Sequence, residues 1–131
     1  MSDFALNAHS GLRYLILLGG VLTVLYATYG AVSGRPYDKI VRILASIFVG
    51  TLHLQILLGL FLILSGLFSS QLIGHIFMMV FAAASAQIPV SVMRRRPQET
   101  KSYVPHAVGA LVALGLIWFG VTAIGRPLVG S

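Results

Sequence analysis

Four apolar runs, each long enough to cross a bilayer as a helix, occupy most of this chain: about Gly11 to Ser33, Ile40 to Leu67, Leu72 to Met93 and Tyr103 to Ile124. A spanning helix needs roughly 20 apolar residues at about 1.5 Å of rise each. Only 9% of the 131 residues are charged, against roughly 25% in a soluble domain. So few charges could not cover a soluble fold of this size, so the bilayer must be the solvent. The links are short: Gly34 to Asp38, Phe68 to Gln71 and Arg94 to Ser102. Short links make consecutive helices antiparallel neighbours. The expected architecture is therefore all-α, a transmembrane up-down-up-down four-helix bundle forming one integral-membrane domain over residues 1–131.

The basic residues give an expected orientation. Arg35, Lys39, Arg42, Arg94, Arg95, Arg96 and Lys101 lie at the first and third links, and only Arg13 and Arg126 lie at the other end. Basic loops stay cytoplasmic, so both termini are expected on the non-cytoplasmic side. The net charge of +6 reads as topology, with no nucleic-acid partner. The start, Met1 to Asn7, holds Asp3 and no basic stretch, so the first run is expected to remain as a helix and not to be cleaved. Cysteine is absent, which excludes disulfides, thiolate chemistry, cysteine-ligated clusters and covalent c-type haem.

Small residues recur along the runs: Gly50, Gly59 and Gly66 in the second, Ala82 to Ala86 in the third, and Gly109, Gly115 and Gly120 in the fourth. They let membrane helices approach closely or leave room for a flat cofactor, and plain packing is the commoner use. Pro89 is expected to kink the third helix or break its last turn.

Each run also carries one histidine: His9, His53, His75 and His106. Ionisable residues at membrane depth are candidates for function, and histidine is a common axial haem ligand. Counting rise along the helices, His9 and His75 lie near one depth towards the outer face, while His53 is roughly 10–15 Å deeper. His106 follows Pro105, which suits a first helical turn, and reads as interfacial. Two imidazoles on one iron must match in depth, so His9 and His75 are the candidate axial ligands within one subunit. His53 is an alternative ligand, for a second cofactor, for a quinone or across a dimer. Arg13 lies one turn from His9 and shares its face. A guanidinium there could clamp a haem propionate. Gln55 points away from His53 and is expected to bond across helices or to contact a cofactor. Met78 and Met79 read as core filler, and Tyr37 and Tyr103 as interfacial anchors.

The acids are only Asp3, Asp38 and Glu99, all outside the predicted core. Asp38 and Lys39, like Arg94 to Arg96, read as loop charges. No carboxylate pair, phosphate-binding loop or nucleophile with its base is visible, so whether the chain is an enzyme stays open.

The segments His9-Ser10-Gly11-Leu12-Arg13-Tyr14-Leu15, Leu52-His53-Leu54-Gln55-Ile56-Leu57-Leu58-Gly59-Leu60 and Gly74-His75-Ile76-Phe77-Met78-Met79 resemble, in order and spacing, those of small bacterial four-helix membrane proteins of the cytochrome-b-like kind. Gly74 stands where that pattern has an acid, and Ile76 where it has proline. The resemblance implies haem b and electron transfer, with His9, Arg13, His53 and His75 at the matching positions. The expected setting is the bacterial inner membrane, in contact with lipid and with a larger respiratory or photosynthetic redox complex or as a homo-oligomer. Quinone is a second candidate cofactor. The alternatives are a cofactor-free accessory subunit of a membrane complex, and a membrane enzyme acting on quinone or porphyrin.

Overall fold

The computed structural model describes residues 2–67 and 72–122, and within them the chain forms four long helices. Helix α1 runs over Ser2–Ser33, starting well before the first apolar run. It stops at Gly34, whose φ of 70° is costly for a residue with a side chain. The turn folds the Arg35 N–H back onto the Gly30 carbonyl at 3.2 Å, the bond that closes a helix end of this type. Helix α2, Lys39–Leu62, is started by Asp38, whose carboxylate accepts from the Val41 N–H at 3.2 Å. Asp38 thus does more than carry a loop charge: it satisfies an otherwise orphaned amide. Burial alone would push its carboxyl up. The Tyr26 hydroxyl, the Val41 amide, Tyr103 and Arg35 together outweigh that and hold it below the ordinary range.

Helix α2 passes into a wider turn over Ile63–Leu67. Helix α3 covers Leu72–Arg95, and a short 3-10 turn over Gln98–Thr100 leads into α4, Val104–Thr122. Pro89 does not break the last turn of α3, which runs on to Arg95. The link between α2 and α3 and the stretch beyond Thr122, with Arg126, lie outside the described residues. All four helices are long and apolar enough to cross a membrane.

Helix α1 packs on α2 and α4, and α3 packs on α4 and α2, so α1 and α3 stand at diagonal corners. The α3–α4 pair is the tightest and the α2–α3 seam the loosest of the four neighbouring pairs. The core is built from Ile16, Phe48, Val49 and Leu52 against small residues, Ala82, Ala83, Ala86, Ala110 and Ala113. Leu18, Leu25, Leu57, Phe77, Ile88, Leu111 and Phe119 point outward. In water this surface would be a large aggregation hazard, and in lipid it is the natural outside of the fold.

Candidate functional site

Of the four histidines, His9 and His75 share one end of the bundle. His9 lies two turns into α1, and His75 lies in the first turn of α3. They turn towards different neighbours. The His9 ring faces Gly59 of α2, where an added Cβ would lie 3.8 Å from its Cε1. The Gln55 amide donates across the same α1–α2 contact to the His9 carbonyl at 2.7 Å. Gln55 therefore bonds between helices. Its Oε1 is buried and has no hydrogen-bond partner among the described residues.

His75 faces α4. Its Nδ1 lies 2.9 Å from the Gly120 carbonyl oxygen. A carbonyl can only accept, so Nδ1 carries the proton in that bond, and in the neutral ring Nε2 carries the lone pair. Imidazoles that bind metals are commonly oriented by this kind of bond through their other nitrogen. One turn further in, Leu12, Ile56 and Met79 pack against the central core. Among the described residues no three histidines or acids gather around a common point. A haem asks less of the protein, because its ring supplies four of the six donors.

Arg13, one turn from His9, donates to the Tyr14 hydroxyl at 3.0 Å and lies 4.8 Å from that ring's centre. This end of the bundle thus holds two imidazoles turned to different neighbouring helices, one guanidinium and a buried amide oxygen.

His53 lies elsewhere. It is exposed on the outside of the bundle, and its Nε2 meets Gln87 Oε1 of α3 at 3.1 Å. Gln87 in turn donates to Ser91 at 2.8 Å. Gln87 was legible only as a polar residue inside an apolar run, and nothing in its spacing tied it to His53.

The opposite end holds a polar cluster that sequence reasoning did not find. Tyr37, Tyr103 and His106 all turn their side chains into the bundle at its link end, where they are buried at 9%, 3% and 2% exposure; so neither tyrosine is placed to anchor to lipid headgroups. The Tyr37 hydroxyl is hydrogen-bonded to His106 Nε2 at 2.7 Å, with the rings stacked. The Tyr103 hydroxyl donates to the Pro36 carbonyl and the Gln98 amide to the Tyr37 carbonyl, both at 2.7 Å. Burial pushes the Tyr37 hydroxyl up, and burial together with the Asp38 charge does the same to Tyr103. The two links between helices fold inward here and plug the end of the bundle, and the bonds read as structural.

Compared with known protein families, with curated proteins and with solved structures, the chain finds no match in any of the three.

Proposed function

We propose that this four-helix membrane protein binds haem b and passes electrons in the bacterial inner membrane, as a subunit or partner of a larger respiratory or photosynthetic assembly. The observation that carries this reading is His75, an imidazole held by Gly120 in the one tautomer that leaves Nε2 as a ligand. His9 supplies a second imidazole at the same end, and Arg13 a cation for a propionate. Bound there, the haem would supply one-electron exchange at its iron. The protein's part is to orient the two rings, pair the propionate charge and keep lipid and water from the iron. Gln55 Oε1, a buried acceptor beside His9, suits a hydroxyl donor such as a quinol, which makes quinone the candidate electron partner. The basic end, with Arg35, Lys39, Arg42 and Arg94 to Arg96, is read as cytoplasmic.

Oxidised and reduced spectra of the purified protein supplied with haem provide the test. A low-spin haem b spectrum is expected, lost or turned high-spin in His75→Ala and in His9→Ala. Wild-type protein that takes up no haem would instead favour the cofactor-free accessory subunit. If the spectrum survives both replacements and is lost in His53→Ala, the ligand is His53. For orientation, single cysteines at Asn7 and Glu99 should label from opposite sides of the membrane, with Asn7 reached from the non-cytoplasmic side.

A further inference from the structure

Along the loosest seam of the bundle, near the basic end, the surface carries a shallow open groove of about 460 Å³, lined by Arg42, Ile43, Ser46 and Ile47 of α2 and by Arg94 of α3. Both arginines are exposed, Arg42 in the first turn of α2 and Arg94 in the last turn of α3. Among the described residues the only ion pair is Arg35 with Asp38 at 3.5 Å, so neither guanidinium is neutralised by a carboxylate. Two exposed guanidiniums, one from each of two antiparallel helices, line the same groove, and guanidinium groups suit phosphate oxygens.

Going inward, the groove changes character in a definite order. Ser46 lies one turn deeper than Arg42, about 6 Å along the helix axis. Ile43 and Ile47, each 48% exposed, form the flank that faces the surrounding lipid. Deeper along the same seam the His53 to Gln87 bond joins α2 to α3, with Gln87 also tied to Ser91. The notch is thus charged at its mouth, hydroxylated below and apolar on its open side. That sequence matches a phospholipid entering from the membrane: phosphate, then ester oxygens, then acyl chain.

We propose that the notch between α2 and α3 is a binding site for one anionic phospholipid, its phosphate held by Arg42 and Arg94 and its ester region by Ser46. The charge complementarity sets the ligand class, and the apolar flank sets its origin in the bilayer. The test is native mass spectrometry of the detergent-purified protein titrated with phosphatidylglycerol or phosphatidylcholine. One phosphatidylglycerol per chain should be retained, at a concentration about tenfold lower than phosphatidylcholine requires. The preference should weaken in Arg42→Gln and in Arg94→Gln and vanish in the double variant. It should persist when Arg95 and Arg96 are changed to glutamine, and circular dichroism should report unchanged helix content throughout. Equal loss in the Arg95 and Arg96 variant would overturn the proposal in favour of a diffuse basic surface. So would equal binding of phosphatidylcholine, or full displacement of phosphatidylglycerol by inorganic phosphate.

Discussion

Gly109→Val should unfold or splay the α3–α4 half of the bundle, whereas Gly115→Val, less than two turns away, should be nearly silent. At Gly109 an added Cβ would lie 2.5 Å from the Ser85 carbonyl oxygen and 2.6 Å from Pro89 Cγ. At Gly115 it would meet nothing within 4 Å. The close approach has a cause on the facing helix. Pro89 has no N–H to give to the carbonyl four residues back, and its ring crowds that carbonyl. The carbonyl four residues back is that of Ser85, and it faces Gly109 across the helix contact. A glycine Cα there can approach as a weak C–H donor, and any larger residue drives backbone against backbone. Overpacking of a dense core costs about 1–3 kcal/mol. A β-branched side chain against a carbonyl and a proline ring belongs at the top of that range, since neither neighbour can rotate away. Thermal unfolding in detergent, followed by circular dichroism, should show a large fall in midpoint for the Gly109 variant and little for the Gly115 variant. Equal midpoints would mean that α3 and α4 do not meet at Pro89.

The contrast between those two glycines shows where the sequence stops being readable. Apolar runs define four helices because length and hydropathy are properties of each segment alone. Depth is readable as well, since rise per residue is fixed, and His9 and His75 do share one end. Rotation about the helix axis is harder, because it depends on the neighbours. Counting residues could not tell that His9 would face Gly59 of α2 while His75 faced Gly120 of α4. Nor could it place His53 on the outside of the bundle beside Gln87. The buried cluster of Tyr37, Tyr103 and His106 was the least legible. Position 37 meets position 106 only once two separate links have folded onto the same end, so each residue alone looked like an interfacial one. Their number beside links was a weak signal. A tyrosine within a turn of each basic link has two uses, anchoring to the interface or plugging the bundle, and local sequence does not distinguish them.

Tyr37→Phe should destabilise the protein by about 1–3 kcal/mol, the usual cost of leaving a buried polar group without its partner. The replacement keeps the ring and its packing, so the loss isolates the bond to His106 Nε2. His106 is 2% exposed, and its Nδ1 already has no hydrogen-bond partner among the described residues. Losing the tyrosine hydroxyl would leave both ring nitrogens buried and unmatched. Pairing the change with His106→Leu removes the polar demand altogether, and replacing both partners by apolar groups is nearly neutral in comparable cases. The double variant should therefore be more stable than the sum of the two single effects predicts, by a coupling of about 0.5–3 kcal/mol. The pH dependence runs in a definite direction. Burial raises the Tyr37 hydroxyl above its ordinary value, so the neutral form is the one the fold keeps. Its contribution is complete below the unfolded value of about 10 and is lost as pH rises through the folded value. Wild-type stability should accordingly fall on the alkaline side more steeply than that of Tyr37→Phe. Unfolding curves for the four members of the cycle, at neutral and alkaline pH, measure both effects. Strict additivity at neutral pH would mean that Tyr37 and His106 pack together without a bond that matters to the fold.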